Sequence, residues 1–259
     1  MLAKQRYNKI MELLDKDGIV HTAELVKLMN VSSETIRKDL EYLDNQGRLS
    51  RVHGGAVPLE TGKSPDIPGG YISFQIRNSQ NLEQKAAITA RAAALVGEGQ
   101  VIALDYGSTS QMMALELRDR FRNLSVVTNS IQNALILAEN PGITIILTGG
   151  ILNRDEYTLV NDFSSTLESI HIDIMFMTVT GIDPAIGCTD QRLSEIRIQN
   201  QMHRCASRTI VLADSSKFGK ASLLKICPFD EVDTIVTDSG ISPELESRIR
   251  ETGANLIIT

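Results

Sequence analysis

The stretch VSSETIRKDLEYLDNQGRLSRVHGGA, from Val31 to Ala56, limits the architecture more than any other part of this chain. Ser32 is a good helix N-cap, because its hydroxyl accepts an orphan backbone N–H, and Val31 before it can staple onto Ile36. Ile36, Leu40 and Leu43 then follow at i, i+4 and i+7 and make an apolar stripe, with Glu34, Arg37, Lys38 and Glu41 about opposite. Gly47 supplies the left-handed residue that ends a helix, and Arg48 to His53 reads as a strand running into a Gly54-Gly55 hairpin turn.

Upstream, Tyr7, Ile10, Met11 and Leu14 recur at helical spacing, and Thr22 reads as the cap of a second short helix carrying Leu25, Leu28 and Met29 on one face. Three helices and a hairpin, with only MNVSS between the second and third helices, are the parts of a winged helix-turn-helix. In that arrangement the third helix enters the DNA major groove by its N-terminal half. Ser32, Ser33, Thr35, Arg37 and Lys38 are the candidates to touch duplex DNA, with Arg51 and His53 on the wing. Arg37 has the planar fork that fits a guanine edge, while Lys38 is a point charge suited to phosphate. A solvated face laced by a Glu34–Lys38 pair is the plainer alternative.

VSSETIRKDL followed by LDNQGRLSRVHGGA resembles the signature of the DeoR family of bacterial transcription regulators, whose pattern has a second Arg at the place of Lys38. The resemblance implies a winged-helix DNA-binding domain over residues 1–57.

The net charge of −6 is unevenly spread. Up to Val57 there are nine Lys and Arg against eight Asp and Glu; the remaining 17 and 24 leave the rest of the chain at −7. An acidic body makes nonspecific DNA binding weak and salt-sensitive. An aromatic share of 4% argues against stacking platforms for single strands. Cys188, Cys205 and Cys227 are odd in number and widely spaced, which indicates neither a disulfide framework nor a zinc site. No apolar run reaches membrane-spanning length and no signal-type apolar segment follows Met1, so the expected location is the cytoplasm, with no membrane partner.

Residues 58–81 contain Pro58, Pro65, Pro68 and three glycines without a sustained period, and read as a linker whose Tyr71, Ile72, Phe74 and Ile76 are apolar enough to dock on a neighbour. From Leu82 to Thr259 helical segments alternate with short β-branched runs: VIAL from Val101, SVVT from Ser125, ITIIL from Ile143, IMFMTV from Ile174, TIVL from Thr209, TIVT from Thr234 and LII from Leu256. This predicts an α/β domain with a mostly parallel sheet and a ligand beyond the carboxyl ends of its strands. Small and polar residues fall there: Asp105-Tyr106-Gly107-Ser108-Thr109, Thr128-Asn129, Gly149-Gly150, Gly181-Ile182-Asp183 and Asp214-Ser215-Ser216-Lys217. Together they describe a pocket for a hydroxylated anion. A Walker A loop and G-x-G-x-x-G are both missing, so no nucleotide, cofactor or metal is expected.

LDYGST, VVTNS, LTGG, TGID and DSSKFG also resemble the sensor half of DeoR-type regulators, which is similar to ribose-5-phosphate isomerase and binds phosphorylated sugars. The resemblance implies Gly107, Ser108 and Thr109 on the effector's phosphate, with Asp105, Thr128, Asn129, Gly149, Gly150, Asp183 and Lys217 around the sugar. Asn161 and Gln199 depart from the family pattern, which has Gly and Lys at those places. The expected protein is a homo-oligomeric repressor released from double-stranded operator DNA by a phosphosugar. An isomerase-like or acyl-transfer enzyme with a fused head, using Asp105, Asp183, Glu195 and Lys217 as acid and base groups, is the alternative.

Overall fold

The computed structural model describes residues 3–17, 20–52, 55–58, 74–160 and 167–259. The chain divides into two compact units, residues 1–75 and 76–259.

The first unit begins with α1 (Ala3–Asp17), β1 (Val20–His21) and α2 (Thr22–Met29), followed by α3 (Ser33–Asn45). The hairpin strands β2 (Leu49–Val52) and β3 (Gly55–Pro58) close it. Thr22 is thus the first residue of its helix rather than the residue before it. Ser32 does cap α3, accepting from Thr35 N at 3.1 Å. At the other end Gly47, with φ +62°, donates to Asp44 O and Arg48 donates to Leu43 O, which satisfies two of the helix's last carbonyls. Ile10, Leu14, Leu25, Met29, Ile36, Leu40, Leu43 and Leu49 make the core. Leu28 is 59% exposed, against expectation. It is rotated about 60° from Leu25 on a helix of 3.6 residues per turn, away from the side that Met29 shares. Asp39, on the buried side of α3, is held by Arg6 of α1, whose Nε and Nη2 reach its two carboxylate oxygens at 2.5 and 2.9 Å. Stacking of Tyr7 on Tyr42, centroids 4.7 Å apart, ties the same two helices.

The wing differs from expectation at its tip. Gly55 already pairs with Val52, and β3 also pairs with β1, giving a three-stranded sheet in which Gly55 is a strand residue and not a turn residue. His53 and Gly54 lie outside the described residues.

The boundary between the units falls within α4 (Phe74–Ser79), and α5 (Leu82–Ala93) follows, so the end of the expected linker is helical. Then come β4 (Val101–Leu104), α6 (Ser108–Arg120), β5 (Leu124–Thr128), α7 (Ile131–Leu137) and β6 (Ile143–Leu147). A hairpin, β7 (Ile151–Asn153) and β8 (Thr158–Val160), precedes β9 (Ile172–Thr178). The short strands β10 (Gly181–Asp183) and β11 (Gly187–Asp190) lead to α8 (Ile196–Cys205) and β12 (Ala206–Leu212). Last are β13 (Leu224–Cys227), β14 (Thr234–Thr237), α9 (Pro243–Glu251) and β15 (Asn255–Ile258).

All seven strands expected from the sequence form one sheet of order β15-β14-β12-β9-β4-β5-β6, with every pairing parallel. Alternate strand residues serve opposite faces, as the period of two requires. Ile102, Leu104, Phe176 and Leu212 pack with Ile88 of α5 and Met113 and Leu117 of α6. Ala103, Met175, Met177 and Val211 pack with Ile198 and Met202 of α8 and Ile249 of α9. Helices therefore cover both faces, as a parallel sheet demands. The chain runs outward from β4 through β5 to β6, then returns to β9 on the other side of β4 and runs outward again. The reversal leaves a crevice between the carboxyl ends of β4 and β9, where an open α/β sheet binds its ligands. β10, β11 and β13 form a small separate sheet.

Candidate functional site

The carboxylate of Asp105, directly after β4, lies in that crevice and is fully buried. Its Oδ2 accepts from Thr178 N at 2.7 Å and from Gln199 Nε2 at 2.9 Å, and its Oδ1 lies 3.1 Å from Thr178 Oγ1, whose one proton is shared with Tyr106 O at 2.6 Å. Burial pushes its carboxyl up to about 7; the three hydrogen bonds oppose this, and the charge of Asp190 adds to it. Gln199, where the family pattern has Lys, thus gives Asp105 an amide donor and no counter-charge.

Gly107 has φ +120°, and a Cβ there would stand 3.2 Å from Thr178 Oγ1 and 3.5 Å from Arg77 Nη1, so both backbone and space require glycine. It caps α6, whose first turn carries no acidic residue. The N–H groups of that turn have no partner within the helix, and the helix dipole favours an anion in front of them. Ser108 and Thr109 are buried in this turn. The loop is fixed from behind: Ser110 Oγ donates to Asp105 O at 2.6 Å, and Asn133 Nδ2 donates to the same carbonyl at 2.7 Å.

The neighbouring strand ends contribute unequally. Thr128 Oγ1 is turned to its own loop, accepting from Ser130 N at 3.1 Å. Asn129 is fully buried, and neither its Oδ1 nor its Nδ2 has a hydrogen-bond partner in the structure. Gly149 and Gly150, after β6, both have positive φ and are exposed. Asp183 is engaged elsewhere, since its Oδ1 accepts from Ala185 N at 2.9 Å and Ile186 N at 3.2 Å and so closes the β10–β11 turn. Lys217, after β12, makes no ion pair among the described residues. Burial holds its ammonium below the usual lysine value, the positive charges of Arg77, Lys220 and Arg192 act in the same direction, and Asp214 opposes them.

Sequence reasoning passed over most of the charges here. Arg77 and Lys85 lie on α4 and α5, before the first strand of the parallel sheet, and Arg192 lies in an irregular segment after β11. Arg77 and Arg192 both pair with the buried Glu156, Arg192 at 2.8 Å. Arg192 also lies over the Tyr106 ring, 4.5 Å from its centroid, while Tyr106 OH donates to Asp190 Oδ2 at 3.2 Å. Lys85 is buried, which lowers its ammonium to about 8 despite the charge of Asp214. The rim therefore gathers four cations around Gly107 and Asp214. Glu195 is fully buried and accepts from Asn153 Nδ2 at 2.6 Å and Thr158 Oγ1 at 3.1 Å. Asn161 lies outside the described residues.

On the first unit Ser32, Ser33, Arg37, Lys38 and Arg51 are exposed and Thr35 is half-buried. The hydroxyls of Ser32 and Thr35 are 2.8 Å apart, which commits both to the cap. Neither Arg37 nor Lys38 pairs with a carboxylate among the described residues, so the Glu34–Lys38 bridge of the plainer reading is not formed. Among the described residues no group of His, Cys, Asp and Glu is placed to hold a metal, and no helix is long and apolar enough to cross a membrane.

A helix-turn-helix with an open polar recognition face, followed by an α/β unit with a cationic crevice at its topological reversal, defines a DNA-binding transcription regulator with a sensor domain. Residues 6–61 match the DeoR-like helix-turn-helix domain and residues 80–239 match the DeoR C terminal sensor domain, so the chain belongs to the DeoR family. It is 34% identical over 254 residues to the HTH-type transcriptional regulator GolR of Listeria innocua, covering 98% of this chain and 97% of that one. The putative aga operon transcriptional repressor of Escherichia coli O157:H7 is 31% identical over 255 residues, covering 98% and 93%. Ribose 5-phosphate isomerase A of Methanocaldococcus jannaschii aligns in structure with 54% of this chain and 55% of its own, at 19% identity and a TM-score of 0.42, too distant a likeness to carry an argument.

Proposed function

We propose that this regulator is a repressor of a sugar-utilisation operon, released from its operator by a phosphorylated sugar. One observation carries the reading: the free N-terminal turn of α6, opened by Gly107 and bearing Ser108 and Thr109, faces Arg77 and lies among the cations of the crevice. Unpaired backbone donors, a helix dipole and fixed positive charge are what a phosphate dianion needs. Asp105, Asn129, Gly149, Gly150 and Lys217 stand on the adjoining strand ends for the sugar hydroxyls, and Thr128 shapes the loop between them. Asp183 holds a turn beside the site. The similarity to the putative aga operon transcriptional repressor of Escherichia coli O157:H7 supports the direction of control. A catalytic role has less support, because Asp183 and Glu195 are each committed to hydrogen bonds within the protein.

On the DNA side Arg37 reads a base edge, Lys38 and Arg51 neutralise phosphates, and Ser33 reaches the backbone beside them; Ser32 and Thr35 fix the helix end that does so. Two heads on paired half-sites are required for tight binding by an acidic body, so the regulator works as a homo-oligomer. Leu135 of α7, Leu147 of the edge strand β6, and Ile151 and Leu152 of β7 are exposed apolar residues suited to the subunit contact.

The test is retardation of DNA fragments selected by the protein from a random pool, repeated with a panel of sugar phosphates. At least one is expected to release the DNA from wild type and not from Ser108→Asp, whose carboxylate repels a phosphate in the same place. Equal release from both proteins would remove the α6 turn from the effector site.

A further inference from the structure

The body is entered through α4, and α4 is fastened to the crevice by side chains rather than by apolar packing alone. Arg77 Nη2 pairs with Glu156 Oε2, and Glu156 is 3% exposed. The other terminal nitrogen, Nη1, lies 3.5 Å from where a Cβ on Gly107 would be. The guanidinium therefore spans from a buried carboxylate to the N-terminus of α6. Behind it Lys85 donates its ammonium to the carbonyls of Arg77 and Gln80, and Asn81 Nδ2 reaches Asp214 Oδ1 at 3.1 Å. Glu156 holds a second arginine, Arg192, at 2.8 Å. It can thus release Arg77 without becoming an uncompensated buried charge, which is what makes breaking most buried pairs costly.

We propose that Arg77 is a further effector-binding residue and the one that reports occupancy: a phosphate at the α6 turn takes the Arg77 guanidinium from Glu156, leaves Glu156 to Arg192, and so moves α4. The proposal rests on the phosphosugar reading of the site. Arginine is the residue for such an exchange because its planar fork fits phosphate as well as carboxylate, and a dianion outcompetes a single negative charge. The second unit begins at Ile76, so a shift of α4 acts on the segment through which the chain joins the DNA-binding unit. Nothing in the sequence marks Arg77 for this, since it lies in a stretch that reads as linker.

The test is a double-mutant cycle on the full chain, with inorganic phosphate as the probe and calorimetry as the readout. Arg77→Gln is expected to weaken phosphate binding about tenfold, the loss of one charge-assisted fork. Glu156→Gln is expected to strengthen binding several-fold, because the competitor for Arg77 is gone, and this gain is expected to vanish in the double variant. Phosphate should also change hydrogen exchange at the amides of residues 74–79 in wild type and leave it unchanged in Arg77→Gln. If Arg77→Gln lowers thermal stability, Arg77→Lys takes its place and should show an intermediate loss, since it keeps the charge and gives up the fork. A Glu156→Gln gain of equal size with and without Arg77, or wild-type affinity in Arg77→Gln, would overturn the exchange while leaving the anion site intact. No phosphate binding by wild type would remove the anion site and the exchange with it.

Discussion

Asp105 is a carboxylate placed where water does not reach and where no cation pairs with it, and its protonation is consequently tied to folding. Its folded pKa of about 7 stands above the ordinary value near 4, so the stability it contributes is complete below pH 4 and is lost as pH rises through 7. The full difference corresponds to about 4 kcal/mol. Asp105→Asn should remove this dependence: one amide oxygen can accept from Thr178 N and Gln199, and the amide N–H can donate to Thr178 Oγ1, which already donates to Tyr106 O at 2.6 Å. Melting temperatures from pH 5 to 8 are expected to fall for wild type and stay level for the variant, and parallel curves would mean that Asp105 titrates normally. On the head, Arg37→Ala is expected to lose roughly 1–3 kcal/mol of operator affinity and relax base preference, whereas Lys38→Ala should weaken all sequences alike. Titration against selected and scrambled DNA at several salt concentrations separates the two, and unchanged affinity in Arg37→Ala would remove α3 from the groove. The exposure of Arg37 and Lys38 was legible because they stand on a helix face opposite a clear apolar stripe. Arg77, Lys85 and Arg192 were not, because their role comes from long-range folding that brings residues outside the strand-end pattern to one crevice.

At the scale of elements, α1 and α3 are joined by an interaction that helical periodicity does not reveal. Asp39 falls on the buried side of α3 beside Leu40 and Leu43, where an apolar residue would be expected, and Arg6 satisfies it with a two-point fork. Asp39→Ala removes the carboxylate that this guanidinium forks onto, and the expected loss is on the order of 2–3 kcal/mol, at the low end for breaking a buried pair because Arg6 keeps some contact with solvent. Hydrogen exchange tells local from global destabilisation: protection should fall in α1 and α3 and hold in the parallel sheet. Loss of protection in the sheet as well would mean that the pair stabilises more than the head. The seven parallel strands could be read directly, since each contains a short apolar run rich in β-branched residues, nearly continuous in the strands at the centre of the sheet, which are buried on both faces. The strands β7, β8, β10, β11 and β13 were missed because they are only three or four residues long, too short for a period of two to show, and β13 finds its partner β11 more than thirty residues away. The small sheet matters to the site, since β11 ends in the Asp190 that holds Tyr106 and Arg192.

At the scale of the molecule, a DNA-binding unit and a sensor unit share one chain, and the proposed control consists of a free-energy coupling between them. If the effector prefers a state of the sensor that the operator disfavours, it lowers operator affinity, and the operator lowers effector affinity by the same factor. A coupling of roughly 1–3 kcal/mol corresponds to about 5- to 150-fold in each direction. The measurement that tests this account most directly is a reciprocal titration: operator affinity with and without a sugar phosphate that binds, and affinity for that sugar phosphate with and without operator, followed by phosphorus NMR so that any turnover is seen. The account predicts equal reductions in the two directions and an unchanged ligand. Turnover of the sugar phosphate with no change in operator affinity would contradict it.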